Sequence, residues 1–232
     1  MRDVLMSGSK NPVDIFKTLR YRVHEAKAHP TEFKCTGIRI FCGSQGSGKT
    51  LSAVQYIKKV CAAYPKCILV TNTDISGLPE TTRVIEYDGI DCLKNVCNGI
   101  EGVVYFIDEI HLELNSLESK NIDIDTMVEL SQQRKQRKHI VGTSQVYMRM
   151  AKPLREQVKD IILCKNYFGL VQFNTHINGF ESYEEGGKLV SSVIGKYLWF
   201  HRPELYSCYD TYAKMRRYSK EWNGRKRDAG GY

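Results

Sequence analysis

Gly43-Ser44-Gln45-Gly46-Ser47-Gly48-Lys49-Thr50 has the residue types and spacing of a phosphate-binding loop, G-x-x-x-x-G-K-[ST]. Its glycines allow the tight curl in which successive backbone N–H groups turn inward on phosphate oxygens. A helix starting near Lys49 would add the positive end of its dipole. In that geometry all eight residues bind nucleotide, Lys49 reaches the β- and γ-phosphates, and the Thr50 hydroxyl holds Mg²⁺. The chemistry implied is Mg²⁺-assisted attack of water on the terminal phosphate of ATP.

Val103-Val104-Tyr105-Phe106-Ile107-Asp108-Glu109 supplies a second half to that chemistry. An apolar strand ending in two carboxylates places Asp108 where it can hold Mg²⁺ directly or through water. Glu109 would orient and polarise the attacking water. The adjacent glutamate favours the ATPase branch with its own catalytic carboxylate (ASCE type) over GTPase-like proteins, and no Asn-Lys-x-Asp guanine-reading motif occurs. Gln145, after the strand His139–Ser144, is the candidate for contacting both the γ-phosphate and the water.

Upstream of it, Gln132 to His139 forms a basic run with three open readings. It is a solvated helix face, or a set of DNA phosphate contacts through Arg134, Lys135, Arg137 and Lys138, or the source of an arginine finger for a neighbouring subunit's nucleotide. Arg134, Arg137 and Arg155 are the finger candidates, and sequence does not rank them. The tail carries Arg216, Arg217 and Lys220 interleaved with Tyr218 and Trp222. That pattern suits phosphate neutralisation plus base stacking on single strands, or a solubilising tail.

These residues need a scaffold. Asn11-Pro12 reads as a cap and first turn, with Ile15, Phe16, Leu19 and Val23 on one face of a helix over 12–27. Gly37–Cys42 is a strand running into the phosphate loop, and Leu51–Tyr64 a helix stopped by Pro65. Further strands are expected at Lys66–Asn72, Val103–Ile107, His139–Ser144 and Asp160–Cys164, with helices over 89–98 and 123–138. Residues 167–200 turn to hairpins around Asn178-Gly179 and Gly186-Gly187. Strands alternating with helices indicate a three-layer α/β sheet. The expected organisation is a helical extension over 1–34, a P-loop core over 35–165, a β-rich completion over 166–213 and a basic tail over 214–232.

Composition bounds the rest. The chain has 232 residues, 34 Lys+Arg against 26 Asp+Glu for a net charge of +8, and 42% hydrophobic residues. That excludes a disordered or collagenous chain and admits a polyanionic partner. No run approaches the roughly 18 apolar residues of a membrane span, and the N-terminus lacks a signal-peptide core, so a soluble, cytoplasmic chain is expected. Eight cysteines contain no C-x-x-C pair, which reads as reduced structural thiols rather than a metal site.

The order of motifs resembles the zonular-occludens-toxin-like (Zot-like) ATPases, the family of the filamentous-phage gene I assembly protein. The phosphate loop is followed by Thr71-Asn72-Thr73-Asp74 with Leu78-Pro79, the Asp108-Glu109 strand, and Gly142-Thr143-Ser144-Gln145. Arg155-Glu156-Gln157, Lys196-Tyr197-Leu198-Trp199 and Leu205-Tyr206-Ser207-Cys208-Tyr209-Asp210-Thr211 complete it, so the resemblance covers about 37 to 215. It implies a RecA/HerA-FtsK-like P-loop ATPase using ATP and Mg²⁺, with Lys49, Thr50, Asp108, Glu109 and Gln145 in the roles above. Its implied partners are DNA, further copies of itself in a ring, and capsid or assembly proteins. Filamentous-phage members usually carry a membrane span after the ATPase domain; none occurs here, which favours genome packaging or DNA translocation in the host cytoplasm. The alternatives are a membrane-associated phage morphogenesis ATPase acting on assembly proteins and a non-catalytic nucleotide-binding effector.

Overall fold

A computed structural model describes residues 11–28, 31–113, 131–185 and 188–210. The chain divides into two compact units, residues 1–32 and 33–232. The first holds helix α1, Pro12–Ala28. Asn11 caps it, its Oδ1 accepting from the Val13 N–H at 3.0 Å, and Pro12 tolerates the first helical position because it needs no N–H partner there. The expected stripe of Ile15, Phe16, Leu19 and Val23 is exposed.

The second unit is built on an eight-stranded sheet. In chain order its strands are β1 Gly37–Cys42, β2 Ile68–Thr71, β3 Asp74–Ile75, β4 Arg83–Glu86, β5 Val103–Ile107, β6 Lys138–Ser144, β7 Val158–Tyr167, β8 Val171–Asn178, β9 Tyr183–Glu185, β10 Lys188–Val190, β11 Val193–Phe200 and β12 Tyr209–Asp210. The large sheet runs β11-β8-β7-β1-β6-β5-β2-β4, with β9/β10 and β3/β12 as two small separate ladders. Strands β7, β1, β6, β5, β2 and β4 are parallel. Strand β8 runs antiparallel to β7, and β11 antiparallel to β8.

Every residue of β5 is buried, as expected of a central strand covered on both faces. Alternation divides the core in two. Ile38, Ile40, Val70, Tyr105, Ile107, Ile140 and Ile161 face one side and pack with Tyr87, Leu93, Ile110, Met150 and Leu154. Phe41, Leu69, Val104, Phe106, Val141 and Ile162 face the other, against helix α2 (Lys49–Ala63) through Ala53, Val54, Ile57, Val60 and Cys61. Each fully buried aliphatic side chain contributes about 1.5–3 kcal/mol by its removal from water. The sandwich of helix, sheet and short helical segments is the α/β architecture expected.

Several local expectations change. Residues 167–200 pair antiparallel as expected, β9 with β10 in a small ladder of their own, while β8 and β11 extend the central sheet past β7. Strand β4 was not foreseen, its four residues Arg83-Val84-Ile85-Glu86 being too short to stand out by alternation. The helix expected over 89–98 is a single turn, Cys92–Asn95. The helix expected over 123–138 is seen only over 131–136, its earlier part lying outside the described residues. Arg137 takes a left-handed φ of 53° and ends it. Lys138 then opens β6 at 2% exposure, its Nζ donating to the Leu93 carbonyl. Lys138 is therefore a buried structural lysine and not a DNA contact, because a cation so enclosed cannot reach a phosphate.

Candidate nucleotide site

Strand β1 delivers the phosphate loop to the carboxyl edge of the sheet. Gly46 and Gly48 have φ of 76° and 79°, a left-handed conformation costly to any residue with a Cβ. Lys49 begins α2 and is only 7% exposed. Its Nζ donates to the Ser44 carbonyl of the same loop at 3.1 Å, so the cation is held across the curl.

Strand β6 lies between β1 and β5. This brings the loop after β1 and the carboxylates after β5 together over the end of β6. The Thr50 hydroxyl donates to Asp108 Oδ1 at 3.0 Å. Thr143, on β6, donates to the same Asp108 oxygen at 2.6 Å and accepts from the Glu109 N–H at 2.8 Å. Asn72, just past β2, closes a reciprocal pair on the Asp108 backbone. Its Oδ1 accepts from the Asp108 N–H at 2.8 Å, and its Nδ2 donates to the Asp108 carbonyl at 3.1 Å. The first turn of α2, strand β6 and the end of β2 thus together fix Asp108.

Glu109 follows with a φ of 53°, unusual for a residue with a side chain. Its Oε1 accepts from Gln145 Nε2 at 3.4 Å, and its Oε2 lies 3.3 Å from His111 Nδ1. The structure therefore gathers Lys49, Thr50, Asp108, Glu109 and Gln145 at one edge. Convergence of the Thr50 hydroxyl and the Asp108 carboxylate fits Mg²⁺, a hard ion that takes one or two protein oxygens and leaves its other positions to phosphate and water.

The finger candidates lie elsewhere. Arg137 immediately precedes β6, with Arg134 on the turn before, and Arg155 precedes β7 by three residues. The starts of β6 and β7 pair with the start of β1, at the amino edge, whereas the phosphate loop follows its end. None of the three joins the site of its own chain. Arg155 instead directs Nη1 at Met148 Sδ, 3.1 Å away. Arg134 and Lys135 are exposed; Arg216, Arg217 and Lys220 lie outside the described residues.

Asn72, Thr143 and His111 had no role from sequence. The first two occur within Thr71-Asn72-Thr73-Asp74 and Gly142-Thr143-Ser144-Gln145, so their segments were visible while their hydrogen bonds were not. His111 follows Glu109 by two residues and carried no pattern of its own.

No protein-family model matches the sequence, and no curated protein matches it either. Among solved structures, the chain is similar to the N-terminal domain of zonular occludens toxin from Neisseria meningitidis, with a TM-score of 0.50 at 15% identity, over 76% of this chain and 100% of that one. The chain shares the fold of that domain, a mostly parallel α/β sheet of the P-loop NTPase type. The genome packaging NTPase B204 of Sulfolobus turreted icosahedral virus 2, in complex with ATP-gammaS, is a more distant likeness: TM-score 0.48, 12% identity, 67% of this chain and 96% of that one. The flagellar accessory protein FlaH from Methanocaldococcus jannaschii follows at TM-score 0.42 and 13% identity, over 72% and 91%. Within this fold the gathered residues sit where the parallel strands end, and the antiparallel pair β8 and β11 forms the flank nearest the phosphate loop. No helix among the described residues is long and apolar enough to cross a membrane.

Proposed function

We propose that the protein is a Mg²⁺-dependent ATP hydrolase whose turnover moves DNA during virion assembly. The observation that carries the hydrolase reading is the convergence of Thr50 and Thr143 on one oxygen of Asp108, with Glu109 adjacent. Lys49 leaves the Ser44 carbonyl for the β- and γ-phosphates, exchanging a neutral acceptor for a charged one. Loop N–H groups and the start of α2 stabilise the triphosphate charge. Thr50 and Asp108 would hold Mg²⁺, which neutralises charge developing on the phosphate oxygens. Glu109 would take a proton from the attacking water as its oxygen bonds the γ-phosphorus and the bond to the β-phosphate breaks, releasing ADP, and Gln145 stays within reach of the carboxylate. The DNA part of the reading rests on a net charge of +8 and on the exposed Arg134 and Lys135.

Steady-state ATP turnover with and without DNA tests it. Lys49→Ala should abolish nucleotide binding. Glu109→Gln should retain binding while turnover falls about 10²–10⁴-fold, the contribution of a general base. DNA should stimulate the wild type and bind with strong salt dependence. Turnover unchanged in Glu109→Gln would overturn the hydrolase assignment. Turnover indifferent to DNA, with co-purifying coat or assembly proteins, would favour a protein substrate instead.

A further inference from the structure

The strand flanking the parallel core does more than extend the sheet. Gln172 and Asn174 sit two residues apart on β8, so both side chains point to the same face. Gln172 is fully buried and Asn174 nearly so, an unusual pairing of neutral polar groups inside a sheet. Gln172 Nε2 donates to the Ser47 carbonyl at 3.0 Å and to Asn174 Oδ1 at 2.9 Å. Its Oε1 lies 3.3 Å from His201 Nε2. Asn174 Nδ2 in turn donates to the Ser52 hydroxyl on α2 at 3.2 Å. The amide has one workable orientation, because flipping it would set a carbonyl against two acceptors.

We infer that Gln172 is a positioning residue for nucleotide binding, holding the Ser47–Gly48 peptide of the phosphate loop so that its N–H faces the phosphate. This rests on the nucleotide-binding reading above. In a trans peptide the C=O and the following N–H point to opposite sides, and no cis peptide is present among the described residues. Anchoring the Ser47 carbonyl toward β8 therefore turns the Gly48 N–H away from β8. Asn166, near the end of β7, repeats the device one peptide earlier, its Nδ2 donating to the Gly46 carbonyl at 3.4 Å. Gln172 also explains Gly48 sterically: a Cβ there would lie 2.1 Å from Gln172 Oε1.

The anchor has its own support. His201 Nδ1 faces the Gly169 carbonyl at 3.0 Å and the Tyr206 hydroxyl. Tyr206 also donates to the Gly169 carbonyl at 3.0 Å, and the Trp199 ring lies tilted by 40° against the His201 ring with centroids 5.1 Å apart. The end of β11 and the one-turn helix Pro203–Tyr206 thereby hold the residue that holds the loop.

The test is calorimetric titration of the purified full chain with Mg²⁺ and ATPγS, paired with ATP kinetics, for wild type and Gln172→Met. Methionine keeps the volume and removes both donors. The expected result is a Kd and a KM for ATP each raised about tenfold, with kcat within twofold and a cooperative melt retained. Tenfold corresponds to ~1.4 kcal/mol, the size of one net hydrogen bond. Wild type that binds while Gln172→Met binds equally well overturns the inference, as does a fall in kcat with KM unchanged. Wild type that binds no ATPγS overturns the nucleotide reading itself, and so separates the two failures. If Gln172→Met does not fold, His201→Phe decides. It alters only the partly exposed support, and about threefold weaker binding is expected; unaltered binding overturns the inference.

Discussion

At residue level, Asn72 fixes Asp108, the carboxylate proposed to hold Mg²⁺. A carboxylate that must bind an ion while losing little freedom has to be held by its own backbone, and the two reciprocal bonds from Asn72 do this for Asp108. Asn72→Ala leaves a buried N–H and C=O without these partners, which costs about 1–3 kcal/mol. The expected outcome is a lower urea midpoint at unchanged m-value, together with a higher Mg²⁺ concentration for half-maximal ATP turnover. Thr143 joins Asn72 in restraining Asp108 and also engages the Glu109 N–H. Lys49, Thr50, Asp108 and Glu109 were legible because each belongs to a contiguous motif whose chemistry is local. Asn72, Thr143 and Gln172 were not, because their partners lie 34 to 125 residues away along the chain.

At the scale of elements, β6 is the strand on which the site turns. Its insertion between β1 and β5 separates the phosphate loop from the carboxylates by one strand, leaving room for Thr143 at the junction. The amino end of the same strand is tied down by His139. Its Nδ1 donates to the Gly37 carbonyl at 2.9 Å, and its Nε2 accepts from the Tyr56 hydroxyl of α2 at 2.9 Å. Burial, aided by the nearby Arg39 guanidinium, pushes its pKa down to about 4 from 6.5. The folded state thus requires neutral imidazole, while the unfolded chain takes up a proton below about pH 6.5. Stability is fully present above that pH, falls between 6.5 and 4, and levels off below; a shift of this size is worth about 3 kcal/mol. Burial alone would raise the Asp160 carboxyl, but Arg39 and His176 outweigh it and hold it below the usual carboxylate range. Urea unfolding from pH 8 to 4 should show this loss, and His139→Gln should flatten that part of the profile. The strands β1 and β5 were plain in the sequence because buried apolar runs declare themselves. Strand β4 and the merging of β8 and β11 into the main sheet were not, since pairing partners leave no local trace.

At the scale of the molecule, burial sorts groups that composition treats alike. Of the eight cysteines, five are buried, Cys35 and Cys92 are half-buried, and only Cys97 is exposed. Burial pushes the Cys164 thiol up to about 12 and raises Cys42 as well. Thiolate is the reactive form, so these groups are inert in the folded chain. Titration of native protein with an aromatic disulfide should show one fast thiol, removed by Cys97→Ser, and eight after denaturation. More than one fast thiol would contradict the packing of the sheet. The basic run divides in the same way: Arg134 and Lys135 are open to solvent, whereas Lys138 is enclosed.

By itself the sequence determined that a phosphate loop, an Asp-Glu strand end and an alternation of strands and helices occur in one chain. Local spacing carries that much, since a tight turn and a buried strand each demand particular neighbours. Only the tertiary structure decided that β6 stands between the two motifs, that Asn72 and Thr143 clasp Asp108, and that β8 holds the loop from behind. Those outcomes depend on which strand pairs with which, and the free energy that selects a pairing is spread over the whole core.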